Sequence, residues 1–308
     1  LDHVSSTGSS HVNDRANIAA EMLIANERSI HTDDDQTWRY NGTHYEKISE
    51  KYLGKMLRRI LSKDGWAEEG GLTRSTADAI TAVKQIRWSQ TPINAREPKQ
   101  ILNFQNGELH FLPDGSVKFR EHDPSSLLTS VLSFNYEKEA EAPVFRQTIE
   151  ELFYPPARER MKPRSKVEQR AYEDAYRKNA VIMADHVEEL LAYFIIPDRW
   201  IPAWFLWIGG GSNGKTFLTD LLYLLLDDDA IESERIQAFT KNDFGMERLI
   251  GKTMAIDDDM KTGTTIPDDF VKKISETKRL SANRKYKASF TFMNRCALLL
   301  LTNNYPRI

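Results

Sequence analysis

The sequence has a single cysteine, no long apolar run and no excess of positive charge. Cys296 alone excludes a disulfide framework and a cysteine-based zinc site, and it fits a reducing compartment. The apolar runs are far shorter than a membrane span and no signal peptide is visible, so we expect no membrane contact. The net charge of −3 excludes a global basic field, so any contact with nucleic acid must come from local patches.

A length of 308 residues allows about two domains, each able to bury a core. The chain begins without Met in a polar tract and stops at Ile308, a few residues after an apolar stretch. We therefore expect an interior piece of a longer protein, with residues 1–12 as a linker or an expression remnant.

Residues 13–135 have the pattern of a small α+β module. Three helices are predicted at 14–26, 50–62 and 74–88. Two Asn-Gly hairpins are predicted at 38–45 and 101–111. Residues 136–196 are helical and heavily charged, with interruptions at Pro155 and Pro163, and form a predicted connector. For the basic run within it, at 158–166, we favour a solvated loop over a DNA contact.

Eight consecutive residues match the phosphate-binding pattern G-x-x-x-x-G-K-[ST]; they are Gly209, Gly210, Gly211, Ser212, Asn213, Gly214, Lys215 and Thr216. A strand pattern precedes them and a helix pattern follows. This order aims backbone N–H groups and the positive end of a helix dipole at an anion. We predict that the loop binds a nucleotide, with Lys215 on the β- and γ-phosphates and the Thr216 hydroxyl on Mg²⁺. Phe217 is included in the predicted nucleotide-binding set.

Three acids follow the next short apolar stretch. Carboxylates at the C-terminal end of a parallel strand can hold Mg²⁺ and polarise the attacking water, whereas adjacent acids also suit a helix start or a solvated loop. Because these acids come directly after a strand pattern, we assign the metal and water roles to Asp258 and Asp259, with Asp258 as the metal ligand. The role of Asp257 stays open.

A third apolar run, at 296–302, is too continuously apolar for a one-sided sheet and indicates a strand covered on both faces. An amide at its end could hydrogen-bond the γ-phosphate or the attacking water. We therefore predict a catalytic role for Asn303; the alternative is a plain strand followed by a turn.

Between these stretches, residues 278–292 form two strand patterns with a basic tip. Arg284, Lys285 and Lys287 could neutralise nucleic-acid phosphates, and Tyr286 could stack on a base. A solvated sheet edge explains the same residues equally well.

Together these motifs resemble the superfamily 3 helicases, specifically the helicase portion of phage, plasmid and large-DNA-virus primase–helicases. The matching stretches lie in order along the chain at 210–216, 244, 249–252, 271–274, 282–287 and 301–306. A weaker match links 101–123 to the accessory domain that precedes such helicases. Asp259 stands where the family often has Glu.

The resemblance implies an α/β AAA+-like ATPase domain with a parallel sheet at 197–308, incomplete at its C-terminus. It also implies a ring, with six subunits expected, that moves along single-stranded or forked DNA through a channel lined by the basic hairpin. Asn303 matches the sensor position of the family. An arginine finger and a last strand are expected beyond Ile308, and any primase domain upstream of residue 1.

The predicted function is therefore that of an ATP-dependent replicative DNA helicase fragment, acting in the cytoplasm of a bacterial host if a phage or plasmid encodes it. One alternative is an initiator or packaging-type ATPase that assembles on DNA without processive unwinding. Another is a nucleotide-dependent binding module or small-molecule kinase, which the basic hairpin and Asn303 argue against.

Overall fold

The computed structural model of the protein describes residues 7–26, 30–33, 36–63, 72–89, 92–96, 99–155, 157–197, 199, 201–211, 213–240, 245–276, 278–284 and 287–307. For residues 7–13, 63, 72, 73, 157, 158, 284, 287 and 288 it describes the backbone alone. The chain divides into two compact units. Unit 1 comprises Leu1–Glu97 with Glu121–Val131, and unit 2 comprises Pro98–Arg120 with Leu132–Ile308. The domain boundaries expected at 135 and 196 stay predictions.

Three helices form the core of unit 1: α1 (Thr7–Asn26), α2 (Glu50–Lys63) and α3 (Leu72–Ile86). Each turns an apolar stripe inwards, because apolar side chains recur every three or four residues along it. Leu23 of α1, Leu53 and Leu57 of α2 and Val83 of α3 are buried together. The predicted helices are confirmed, and α1 begins earlier than expected.

A three-stranded antiparallel sheet completes unit 1, in the order β1 (Ile30–Thr32), β2 (Thr37–Tyr40) and β3 (Tyr45–Ile48). The predicted Asn-Gly turn joins β2 to β3, and the side-chain oxygen of Asn41 accepts from the backbone N–H groups of Thr43 and His44, both at 3.0 Å. This local ring of hydrogen bonds holds the turn, as asparagine commonly does at such positions.

Unit 2 begins with a second antiparallel sheet, in the order β4 (Ile101–Phe104), β5 (Gly107–Phe111) and β6 (Val117–Arg120). Gly107 has a φ of +152°, and a Cβ there would lie 2.4 Å from the carbonyl oxygen of Arg120. Glycine is therefore required at the turn between β4 and β5. Apolar residues of this sheet, including Leu102, Phe104 and Leu109, join the main core of unit 2.

Three helices follow: α4 (Pro143–Leu152), α5 (Ala157–Arg160) and α6 (Lys166–Ile195). Ser165 and Glu168 form a reciprocal capping box that starts α6. Arg146 of α4 donates to Asp185 at 2.6 Å and to Glu188 at 2.9 Å, which ties α4 to α6.

The remaining strands and α-helices that the structure describes in unit 2 are β7 (Phe205–Ile208), α7 (Lys215–Leu225), β8 (Ile231–Ser233), β9 (Met254–Asp257), α8 (Asp268–Ile274), β10 (Lys278–Arg284), β11 (Lys287–Asn294) and β12 (Ala297–Thr302). Four of the strands form a parallel sheet in the order β7-β12-β9-β8. All six residues of β12 are buried, which confirms a strand covered on both faces. The C-terminal part is thus mixed α/β around this sheet, preceded by antiparallel α+β modules.

Among the described residues, no helix combines the length and the apolar character that crossing a membrane requires.

Candidate functional site

The phosphate-loop motif connects the end of β7 at Ile208 to the start of α7 at Lys215. Gly211 and Gly214 adopt φ values of +91° and +83°, which glycine tolerates far better than other residues. A Cβ on Gly214 would also lie 2.8 Å from the Leu152 side chain. The loop geometry therefore depends on these two glycines. Ser212 lies outside the described residues.

The N-terminus of α7 carries no side-chain cap. Gly214 occupies the cap position without offering a side-chain acceptor, so the first N–H groups of the helix and its positive dipole end remain available to an anion. Thr216 and Phe217 are exposed in this first turn. These features fit the phosphates of a nucleotide.

Lys215 is held by three neutral oxygen atoms. Its Nζ donates to the carbonyl of Gly209 at 2.7 Å and to the side-chain oxygens of Asn213 at 3.1 Å and Asn303 at 3.0 Å. None of these acceptors is a carboxylate, so they satisfy the hydrogen bonds of the ammonium without cancelling its charge. A phosphate could replace them as the partner of Lys215.

Parallel pairing of β7 with β12 explains why Asn303 reaches Lys215 across 88 residues of sequence. Thr302 lies opposite Ile208 in the register, and the N–H of Gly209 donates to the carbonyl of Thr302 at 3.2 Å. Asn303, the next residue, therefore lies beside the start of the phosphate loop. The two predicted residues meet because their strands end at the same edge of the sheet.

The acidic cluster lies at that same edge, since Asp257 pairs in register with Leu300 of β12. Asp257 is buried, and its carboxylate accepts from the N–H of Ile236 at 2.9 Å. Burial raises the pKa of the Asp257 carboxyl above its usual range, while the N–H groups of Ile236 and Asp259 act in the opposite direction. Asp258 and Asp259 are exposed.

A cavity of about 310 Å³ lies next to the acidic cluster; its lining includes Asp257, Asp259 and Arg235. Asp259, the predicted water-orienting residue, lines this cavity, whereas Asp258, the predicted metal ligand, does not. Arg235 was not among the residues that the sequence singled out. It lies two residues after the end of β8, whereas Asn303 follows β12 directly, so the rule that selected Asn303 would not have found it.

Within the described ranges, no group of three or more His, Cys, Asp or Glu residues is arranged to hold a metal ion. A magnesium ion at Thr216 and Asp258 would therefore need further oxygen ligands from nucleotide and water. This is the usual way in which Mg²⁺ binds at a phosphate site.

The basic hairpin is formed by β10 and β11, which pair antiparallel with an irregularity between Ala282 and Arg284. Leu280, Ala282 and Phe292 are buried and anchor its base. Of the predicted DNA contacts, Lys285 lies outside the described residues, as does Tyr286. Arg284 and Lys287 are described in their backbone alone.

Two family models match the sequence. Residues 17–154 match the model described as D5 N terminal like, and residues 207–308 match a family of unknown function, DUF5906. The chain thus carries a D5-like N-terminal region over residues 17–154. The resemblance to phage and large-DNA-virus primase–helicases that the motifs indicated is thereby confirmed. No curated protein matches the sequence.

Solved structures similar to this chain include two described as apo A-form structures of the NrS-1 C terminal region. They share 13% and 14% sequence identity with it, each with a TM-score of 0.51, so the likeness concerns the fold alone. The alignments cover 94% of this chain and 56% and 57% of the two solved chains. The chain thus spans little more than half the length of these two solved chains.

Proposed function

We propose that this chain binds ATP with Mg²⁺ and couples ATP hydrolysis to movement along single-stranded DNA. The contact between Lys215 and Asn303 carries this proposal. This contact joins the phosphate loop to the end of the neighbouring strand β12. A γ-phosphate bound there would be contacted by Lys215 on one side and by Asn303 on the other.

In the proposed site, Lys215 and the uncapped N–H groups of α7 hold the β- and γ-phosphates. Thr216 and Asp258 hold Mg²⁺, which neutralises the charge that develops on the phosphate oxygens during transfer. Asp259 orients the attacking water, and Asn303 donates its amide N–H to the γ-phosphate. The Asn303 oxygen that accepts from Lys215 is released when the lysine turns to the nucleotide.

The wider assignment is an AAA+-like motor that assembles into a ring, with six subunits proposed. The parallel sheet supports this assignment, because β12 lies between β7 and β9. Asn303, the phosphate loop and the acidic cluster therefore lie at one edge of the sheet. The hairpin of β10 and β11 would contact DNA through Arg284, Lys285 and Lys287. A primase domain elsewhere in the natural protein is a further proposed partner.

The decisive experiment measures ATP hydrolysis by this chain with and without single-stranded DNA, with Lys215→Ala as the blank. We expect turnover that DNA stimulates and that Lys215→Ala abolishes without loss of the fold. Turnover that ignores DNA would favour the binding module or small-molecule kinase. A wild-type chain that binds ATP no better than Lys215→Ala would overturn the nucleotide site itself.

A second experiment tests the hairpin. Lys285→Ala combined with Lys287→Ala should weaken binding to single-stranded DNA and flatten its salt dependence. The variant would contact fewer phosphates, so its binding would release fewer counterions. Equal binding by variant and wild type at every salt concentration would remove the hairpin from the proposal. Strand displacement on forked DNA then separates a helicase from an initiator or packaging-type ATPase, since only a helicase unwinds processively.

A further inference from the structure

Helix α2 of unit 1 concentrates positive charge in a chain whose net charge is −3. Four of its basic side chains are exposed, and they are Lys51, Lys55, Arg58 and Arg59. They follow one another at helical spacing, so they form a stripe along the helix.

The opposite face of α2 is already occupied. Leu53, Leu57 and Leu61 are buried in the core that α2 shares with α1 and α3. A basic amphipathic helix can lie on a membrane only if its apolar face is free to enter the lipid. The apolar face of α2 is not free, so its basic face is the part that can contact a partner.

The basic stripe lines an open groove of about 1100 Å³, which we call the α2–α3 groove and define by Lys51, Gly54, Lys55, Arg58, Arg59 and Thr76. Gly54 forms its floor. A Cβ there would lie 3.4 Å from Ile80 and 3.5 Å from Thr76, both on α3, so the two helices meet closely at this point. α3 contributes a hydroxyl and small or apolar side chains to the other wall.

Among the described residues, the positive charge of the α2–α3 groove is uncompensated. Its one acidic lining residue, Glu50, forms an ion pair with Lys84 of α3. Within the part of the chain that the structure describes, the four cations of the stripe form no ion pair. Exposed lysine and arginine side chains that line a groove without acidic partners are available to an anionic ligand.

We propose that the α2–α3 groove binds the phosphodiester backbone of a nucleic-acid strand without reading its sequence. From Lys51 to Arg59 the helix advances about 12 Å at 1.5 Å per residue. Successive nucleotides of one strand in a duplex rise about 3.4 Å each, so the stripe can face several phosphates in a row. A single small anion would instead need convergent, enclosed donors, which this open groove does not offer.

The test measures binding of a fluorescently labelled oligothymidylate by anisotropy, without nucleotide, at salt concentrations from about 50 to 300 mM. The groove variant is Lys55→Gln combined with Arg58→Gln. If both side chains contact phosphates, affinity at low salt should fall roughly tenfold or more, and the slope of log K against log salt should fall by about 1.4.

A matched control carries Arg170→Gln and Lys178→Gln, two exposed residues of α6 that lie outside the groove. It changes the net charge by the same amount and should alter affinity by less than the groove variant does. Both variants replace exposed side chains, so circular dichroism and the unfolding midpoint should match the wild type. Repeating the comparison in the Lys285→Ala, Lys287→Ala background removes the binding assigned to the hairpin.

Equal loss of binding in the groove variant and the control would overturn the proposal, because the effect would then reflect net charge alone. So would unchanged oligothymidylate binding together with a groove-dependent loss of binding to phosphatidylglycerol vesicles, which would make lipid the ligand. The outcome is independent of ATP turnover. A chain that hydrolyses no ATP but loses DNA binding in the groove variant would support the groove without supporting the motor.

Discussion

The two ends of the parallel sheet in unit 2 each hold a cation, in contrasting ways. At the amino ends of β9 and β12, Arg199 is only 2% exposed. Its guanidinium donates to the carbonyl of Phe194 at 2.9 Å, to that of Thr253 at 3.0 Å, and to that of Arg295. At the carboxyl ends of the strands, Lys215 is partly exposed and two of its three acceptors are side-chain amides.

The contrast shows that burial and the type of acceptor decide what a cation does. The acceptors of Arg199 are backbone carbonyls from three separate segments, so its hydrogen bonds join the end of α6 to the starts of two strands. A buried cation held in this way cannot leave without exposing unpaired carbonyls. The amide acceptors of Lys215 can rotate, and water can replace them. One cation stabilises the fold, and the other is available to a ligand.

Replacing Arg199 should destabilise the amino end of the parallel sheet. We expect Arg199→Ala to lower the free energy of unfolding by about 2–4 kcal/mol, because buried carbonyls lose a charged donor. Lys215→Ala, by contrast, should leave the unfolding midpoint close to that of the wild type. Urea unfolding followed by circular dichroism measures both.

Arg199→Lys is the matched control for Arg199→Ala, since a lysine keeps the charge but cannot copy the planar guanidinium. It should recover only part of the lost stability. Similar unfolding free energies for Arg199→Ala and Lys215→Ala would contradict the contrast between the two ends.

Replacing Asn303 tests the carboxyl end of the sheet, where the nucleotide is proposed to bind. Asn303→Ala should lower the rate of ATP turnover roughly 10- to 100-fold, about 1.4–2.7 kcal/mol of activation free energy, with a smaller effect on ATP binding. Steady-state kinetics together with a binding titration separate these two quantities. Wild-type turnover in Asn303→Ala would remove the proposed sensor.

Asn303→Asp sharpens the same test. The substitution places a carboxylate next to Lys215, where the amide oxygen now accepts at 3.0 Å. The resulting ion pair should compete with the phosphates, so ATP binding should weaken more in this variant than in Asn303→Ala. The reverse order would argue that Lys215 does not contact the nucleotide.

The smallest expected change in stability concerns Cys296, which lies directly before β12 at the amino end of the parallel sheet. Burial raises the pKa of its thiol from an ordinary value of 9.0 to about 12. The folded protein therefore keeps the proton when the unfolded chain loses it, so stability should fall as the pH rises from about 9 towards about 12. At about pH 10 the loss should be roughly 1.4 kcal/mol.

Comparing Cys296→Ala with the wild type across this pH range isolates the contribution of the thiol, because the cavity that alanine leaves affects stability at every pH. Asn303→Ala, at the other end of the sheet, should keep the wild-type pH dependence. A Cys296→Ala variant whose stability falls with pH as steeply as that of the wild type would contradict the prediction.

Several elements could be predicted because their determinants are adjacent in the chain. The glycines of the phosphate loop, the apolar run of β12 and the Asn-Gly turn at Asn41 each specify local backbone geometry. The role of Arg199 could not be predicted in this way. Its acceptors come from residues 194, 253 and 295, and no local pattern connects these positions.

The same limit explains the outcome for the acids. The position of Asp258 and Asp259 after a strand was readable, since a polar run follows an apolar one, whereas Asp257 is the last residue of β9. That Asp257 is buried against the N–H of Ile236, while Asp258 and Asp259 are exposed, depends on how the segment after β8 packs against β9.

By itself, the sequence determined the phosphate loop, the main helices and the strand endings, because propensity, glycine conformation and apolar periodicity act over a few residues. Only the tertiary structure decided that Asn303 contacts Lys215 and that the cations of α2 border a groove. Those relations depend on strand order and on helix packing, which bring together side chains that are far apart in the chain.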